Sequence, residues 1–200
     1  MRRLTLSTRN DHKVREFTRL TGGELQIDPL PDDVTLPPED GSTFAENALG
    51  KARAAAAATG RAAIADDSGV EAAALGGRPG IYSARFAGPG ATDEQNLAKL
   101  LREAPAGSPL SYVCAIAYVD PVAGVERLFE GRCEGTLAAE PAGEGGFGYD
   151  PAFLPADELP GGAPGRTMAQ LSDAEKDAIS HRGRALRDLL AWLREQPDGG

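Results

Sequence analysis

The chain lacks the features that would place it outside a reducing compartment, inside a bilayer or on a polyanion. Of 200 residues only two are cysteines, Cys114 and Cys133. Both stand in strand-like runs, so buried thiols are expected rather than a disulfide. No apolar run approaches the roughly 18 residues of a membrane span. Met1-Arg2-Arg3 leads straight into a short strand, so no signal peptide is expected either. Positive charge is scarce: 21 Lys and Arg against 30 Asp and Glu leave a formal charge of −9. That balance argues against a nucleic-acid surface, which needs a basic face. It does not exclude a phosphate substrate, because a divalent cation and a few local lysines reverse the field inside a cleft. Internal repeats are missing as well. The expectation is a cytoplasmic globular protein, residues 1–200 forming a single domain, with 41% apolar and 26% charged content sufficient for a sizeable core.

What is there starts with Ala62-Ala63-Ile64-Ala65, which reads as a short buried strand ended by Asp66-Asp67-Ser68-Gly69. Ligands of open α/β sheets bind beyond the carboxyl ends of strands, where Asp66 and Asp67 are expected. Adjacent carboxylates repel, so a pair at a buried edge shares a cation or a proton. Asp, Ser and Gly are also turn residues, and taken alone the stretch favours a surface turn.

Upstream, Arg3–Ser7 alternates like an opening strand, and Thr8-Arg9-Asn10-Asp11-His12-Lys13 turns from it into a helix. The apolar face of that helix is Val14, Phe17 and Leu20, and Gly22-Gly23 closes it. A strand feeding a helix N-terminus offers N–H groups and a positive dipole end to an anion. Lys13 sits in the first turn, unfavourable for the dipole unless an anion lies nearby, while Asn10 is equally an ordinary N-cap. Leu25–Ile27 makes a short strand before a proline-rich acidic loop, Pro29 to Gly41. Thr43-Phe44-Ala45-Glu46 is a capping box opening an alanine-rich helix to about Thr59, with Gly60 as its stop. Asn47 and Lys51, four apart, share one face of it.

Downstream, Val70, Ala72 and Ala74 alternate as a strand, and Gly76–Phe86 is a glycine-punctuated loop. A helix follows from Thr92 through Leu97, Leu100 and Leu101. Tyr112–Val119 is the clearest strand, turned back at Pro121–Gly124, with Val125–Phe129 and Cys133–Leu137 continuing an antiparallel meander. Gly143–Pro151 sets four glycines around Phe147 and Tyr149, so backbone can approach a ligand while rings offer stacking faces; a flexible hairpin loop has the same composition. Ser172-Asp173-Ala174-Glu175 caps a helical segment. Leu186, Leu189, Leu190 and Leu193 stripe a terminal helix, with a frayed tail at 196–200. His181 and Arg182 lie on no apolar face and at no helix end, and by pattern read as surface residues.

Together these stretches, in order from about residue 5 to 190, resemble the non-canonical purine nucleoside triphosphate pyrophosphatases, the inosine/xanthosine triphosphatase (HAM1-like) family. Asp66-Asp67-Ser68-Gly69 followed by Gly77-Arg78-Pro79-Gly80-Ile81-Tyr82-Ser83-Ala84-Arg85 is similar to the family signature. Thr8, Asn10 and Lys13 match its Thr/Ser-x-Asn-x-x-Lys, with Arg9 where the family often has a small residue. Phe44, Glu46, Asn47, Ala48, Lys51 and Ala52 match Phe-x-Glu-Asn-Ala-x-x-Lys-Ala. Gly145-Gly146-Phe147-Gly148-Tyr149-Asp150-Pro151 agrees residue for residue, and Lys176 to Gly183 resembles Lys-x-x-x-Ser-His-Arg-Gly.

The resemblance implies an α/β fold: a mixed, twisted β-sheet flanked by helices, in two lobes with an active-site cleft between them, assembled as a homodimer. The implied reaction splits ITP, dITP or XTP between the α and β phosphates, giving monophosphate and pyrophosphate. Mg²⁺ is implied, held by Asp67 with Glu39 or Glu46, and Asp67 orients or deprotonates the attacking water with Asp66 in support. The implied substrate contacts are Thr8, Arg9, Asn10, Lys13 and Lys51 for the phosphates, with Asp11, His12, Ser68, Gly148 and Tyr149 also implied in substrate binding. Phe147, Lys176, His181 and Arg182 are implied for the base, and Asp150 either for the shape of its loop or for the base. Two rival classes fit less well. A phosphomonoesterase with a nucleophilic aspartate wants Asp-x-Asp where this chain has Thr8-Arg9-Asn10, and a non-catalytic nucleotide-binding module would not need Asp67 beside Lys13 and Lys51.

Overall fold

Chain order dictates the first half of the architecture. In the computed structural model, which describes residues 2–157 and 165–196, strands and helices alternate: β1 (Arg2–Leu6), α1 (Asp11–Leu20), β2 (Leu25–Pro29), α2 (Phe44–Thr59) and β3 (Ala63–Ala72). A helix between successive strands returns the chain for parallel pairing. β1 pairs in parallel with β2, from Arg2↔Leu25 to Leu6↔Pro29, and on its other side with β3 at Thr5↔Ala63 and Leu6↔Ile64. The winding direction therefore reverses at β1, the place where open α/β sheets leave a crevice beyond the strand ends.

The second half adds α3 (Asp93–Glu103), β4 (Pro109–Asp120), β5 (Val125–Leu137), β6 (Phe153–Pro155), α4 (Asp173–Ile179) and α5 (His181–Glu195). The six strands lie in the order β2-β1-β3-β4-β5-β6. β5 and β6 pair antiparallel, Gly135↔Pro155 to Leu137↔Phe153, so the sheet is mixed, as expected for this α/β class.

By its contacts the chain divides into two compact units. The first comprises Met1–Asp67, Cys114–Glu130 and Ala185–Gly200. Its core gathers Leu4, Leu6, Phe17, Ile64 and Ile116 with Leu186, Leu189, Leu190 and Leu193, the stripe foreseen for the terminal helix. Burying each such leucine contributes about 1.5–3 kcal/mol. Alanines line the inner side of α2: Ala48, Ala52, Ala55 and Ala56 are fully buried, which lets the helix backbone approach the end of β1, just past which Ser7 Oγ donates to the Lys51 carbonyl at 2.9 Å. The second unit, Ser68–Val113 and Gly131–Arg184, packs Val70, Leu97, Leu100, Leu110, Tyr112, Phe153 and Met168.

Several sequence expectations change. The strand expected at Ala62–Ala65 starts at Ala63 and does not stop at the carboxylates; β3 runs on through Asp66-Asp67-Ser68-Gly69 to Ala72, and Ala74, expected in the strand, falls in a 3₁₀ turn over Ala73–Leu75. Both aspartates are buried and ion-paired, which removes the usual reason for a charged doublet to end a strand. The two runs read at Val125–Phe129 and Cys133–Leu137 are one strand, β5; Gly131, Cys133, Gly135 and Leu137 are buried while Glu130, Arg132 and Glu134 face water. The apparent polar interruption is its solvent face. Gln196, expected in the frayed tail, accepts from Arg2 Nη2 at 2.5 Å; the rest of that tail lies outside the described residues.

Both cysteines are free and fully buried, as expected. Burial first, and Asp157 second, push the Cys133 thiol up to about 12, so it stays protonated and unreactive through the physiological range. At about pH 8 the native protein should give no fast reaction with Ellman's reagent, and unfolding should release both thiols of the chain. A rapidly reacting thiol in the native state would contradict the packing of β4 and β5.

Candidate active site

β1 breaks its pairing with β3 at Leu6↔Ile64, so β3 continues past the end of its neighbour. Asp66 and Asp67 stand on that overhang, 0% and 6% exposed. Successive strand residues point to opposite faces, and lysines reach the pair from two helices, α1 and α2. Lys13 Nζ lies 3.0 Å from Asp66 Oδ2. Asp67 Oδ2 accepts from Asn47 Nδ2 at 2.9 Å, and its Oδ1 lies 3.7 Å from Lys51 Nζ. Lys51 also ion-pairs with Glu39. Asn47 and Lys51 thus meet the same aspartate from one face of α2, as their spacing required.

The electrostatics follow from crowding charges away from water. Burial lifts the Asp67 carboxyl above its ordinary range, against the pull of Lys51 and the Asn47 hydrogen bond; Glu39 adds to the lift and Lys13 opposes it. Burial works against the Lys51 ammonium too, but Asp66, Asp67 and Glu39 outweigh it and hold that pKa above its ordinary value. Asp66, Asp67 and Glu39 thus gather around the Lys13 and Lys51 ammoniums.

The β1–α1 turn is otherwise self-contained. Asn10 Oδ1 accepts from the N–H groups of His12 and Lys13 at 2.9 and 3.2 Å, making it the N-cap of α1. Asn10 N–H in turn donates to Thr8 Oγ1. Asp11 and His12 are exposed. The anion that Lys13 called for is the chain's own Asp66. Glu46 is exposed and accepts from the Ser42 N–H at 2.6 Å, while Thr43 Oγ1 caps the Glu46 N–H. Arg9 turns its guanidinium to the Leu30–Val34 carbonyls.

The remaining expected residues gather in the second unit around Asp150, which is 3% exposed. Its Oδ1 accepts from Tyr112 Oη at 3.0 Å, and its Oδ2 from Lys176 Nζ at 2.8 Å and the Phe147 N–H at 2.9 Å. A Cβ at Gly146 would stand 2.0 Å from Asp150 Oδ2, and its φ of +71° is left-handed, so glycine is required at that bend. Lys176 Nζ and Arg182 Cζ approach the Phe147 ring at 5.3 and 5.9 Å, within cation–π range. Arg182 Nη2 donates to Ser68 Oγ at 2.9 Å. Gly148 N–H donates to Asp93, and Tyr149 Oη donates to the Ser83 carbonyl. His181 stacks on Tyr112 at 4.7 Å and 12°, and Tyr112 stacks on Phe153 at 4.3 Å.

The Ham1 family profile matches residues 4–192. The chain belongs to the Ham1 family. It is 46% identical to a dITP/XTP pyrophosphatase of Frankia alni over 96% of this chain and 98% of that protein. With the dITP/XTP pyrophosphatase of Symbiobacterium thermophilum it shares 49% identity over 96% of this chain and 95% of the other. A HAM1 protein from Coxiella burnetii superposes with a TM-score of 0.86 at 39% identity, covering 98% of this chain and 100% of that one.

In this Ham1 chain His181 and Arg182 correct the surface reading outright: they begin α5 and are 7% and 2% exposed. Tyr112 went unforeseen as a site residue. A tyrosine opening an apolar strand reads as core, and only the need of a buried hydroxyl for a partner hints at more. A compositional signal was available for the lysines. Just four occur beside 17 arginines, and three of them, Lys13, Lys51 and Lys176, stand at these buried carboxylates. Tyr112→Phe should keep the stack and lose one buried hydrogen bond, lowering stability by about 1–2 kcal/mol. Asp150→Ala strands a buried ammonium and should lower it by about 3–5 kcal/mol. Chemical denaturation checks both; equal losses would remove Asp150 as the hub.

Proposed function

We propose that this chain hydrolyses non-canonical purine nucleoside triphosphates, ITP, dITP and XTP, to the monophosphate and pyrophosphate. The observation that carries the reading is the buried carboxylate–lysine cluster at the overhang of β3, beyond the end of β1. It is supported by the relatives named dITP/XTP pyrophosphatase at 46–49% identity.

The donor set fits Mg²⁺. Glu39 and Asp67 both reach Lys51 Nζ, so two carboxylates converge on one cation-sized locus. Magnesium takes one or two carboxylates and completes its shell with water and phosphate oxygens. No cluster of three or more metal-binding His, Cys, Asp or Glu occurs among the described residues, and this ion does not require one. Asp67 with Glu39 would hold it, whereas Glu46 is engaged at the helix cap. Bound there, the ion supplies charge neutralisation for the triphosphate and acidifies water.

The chain's own groups do the rest. Asp67 orients the attacking water and takes its proton. Lys13 and Lys51 hold the triphosphate in line, since positioning and electrostatics dominate phosphoryl transfer. Phe147 stacks the base and adds affinity without choice. Lys176, Arg182 and His181 present donors, which suit the O6 acceptor of a 6-keto purine and oppose the N6 donor of adenine. Guanine shares O6, so its exclusion rests on room at the 2-position. The homodimer, and action in the cytoplasm, are part of this proposal.

A panel of ITP, dITP, XTP, ATP and GTP, with pyrophosphate and orthophosphate measured separately, tests the reading. The expected product is pyrophosphate, with kcat/KM for the keto purines other than GTP exceeding that for ATP and GTP by about 10²- to 10⁴-fold. Arg182→Ala should narrow that gap. Equal hydrolysis of all five, or orthophosphate as the product, would overturn the proposal.

A further inference from the structure

Arg9 stands in the turn between β1 and α1, yet its guanidinium is spent elsewhere. Nη1 donates to the Leu30 carbonyl at 3.1 Å and reaches Asp32 Oδ1 at 3.4 Å. Nη2 donates to the carbonyls of Pro31, Val34 and Asp32 at 2.7, 3.1 and 3.3 Å. Four backbone carbonyls from five consecutive residues thus converge on one side chain.

The sequence explains the need. The segment from Pro29 to Gly41 contains Pro29, Pro31, Pro37 and Pro38, which have no N–H to give, and beyond β2 it joins no strand. Val34 N–H reaches back to Pro31 at 3.1 Å; the guanidinium supplies the donors that a sheet ladder would otherwise provide. The far end of the segment is fastened independently. Gly41 N–H donates to Asn47 Oδ1 at 2.9 Å, and the same Asn47 holds Asp67. Between the two fastenings stands Glu39, paired with Lys51.

We infer that Arg9 is a positioning residue: its guanidinium clamps the 29–41 strap so that Glu39 is delivered to Lys51 and Asp67. It does not serve as a direct phosphate ligand. The inference rests on the proposed hydrolysis for its purpose but not for its geometry. It also separates Arg9 from Lys13 and Lys51, whose ammoniums lie against the carboxylates of Asp66, Asp67 and Glu39. Lysine at position 9 would keep the charge but could not span four carbonyls, because an ammonium lacks the planar fork.

Arg9→Ala and Arg9→Lys distinguish clamp from phosphate ligand. Hydrogen exchange of the free protein should show the strap amides between Leu30 and Asp40 opening about tenfold faster in both variants, with β1 and β3 unchanged. In turnover assays kcat should fall about 10- to 100-fold in both, and the Mg²⁺ concentration for half-maximal rate should rise, with the triphosphate KM moving less. Because exchange is read without substrate, it tests the clamp even if the hydrolysis proposal fails on every nucleotide. The inference is overturned if strap exchange is unchanged in both variants, or if Arg9→Lys restores full kcat.

Discussion

The structure depends on keeping ionised carboxylates inside a protein. Asp66 and Asp67 are taken almost wholly out of water, at a cost that Lys13, Lys51 and Asn47 offset, for Asp67 without cancelling it. The rest of the first unit is arranged around that requirement. The short β1 lets β3 overhang. The alanine-lined α2 lies close enough to bring Asn47 and Lys51 to the carboxylates, and the N-cap at Asn10 starts α1 so that Lys13 falls in its first turn. A folded pKa raised for an acid means that ionisation weakens the fold: the stability tied to Asp67 is fully present below the ordinary carboxylate pKa and is lost as pH rises through the raised value. The fold keeps Asp67 at that cost, as sites built for charge stabilisation do.

The second unit solves a related problem by satisfaction rather than excess. Asp150 accepts from Tyr112, Lys176 and the Phe147 backbone, so one carboxylate fixes a hydroxyl, an ammonium and a loop. Burial, then Asp150, pushes the Tyr112 hydroxyl far above its ordinary pKa, and it remains a donor. His181 is held by stacking on that same ring. Donors proposed to read a base are thereby fixed before any base arrives, and such preorganisation is what selectivity by unpaired polar groups requires.

Much of this was legible in the sequence, for identifiable reasons. Alternating strand and helix signals up to Gly60 locate β1, α1, β2 and α2, because capping residues and glycine stops act locally. Motif order, through resemblance, named residues that the structure gathers at Asp67 and at Asp150. What local pattern could not show was burial secured by distant partners. Asp66 and Asp67 looked like a strand end because the lysines that hold them lie 53 and 16 residues upstream. Arg182 looked like surface because its burial comes with Ser68 and Phe147, which no periodicity records. Arg9 likewise showed a charge in a turn, with no sign of the carbonyls it would meet.

The central claim is that the carboxylate cluster at Asp67 holds a divalent cation. Mn²⁺ binding to the free protein, followed by electron paramagnetic resonance in wild type and Asp67→Asn, tests it directly. The account predicts at least a roughly tenfold weaker affinity in Asp67→Asn, with no loss of thermal stability near neutral pH, since the substitution removes a charge that folding disfavours. Unchanged Mn²⁺ affinity in a folded Asp67→Asn protein would contradict it.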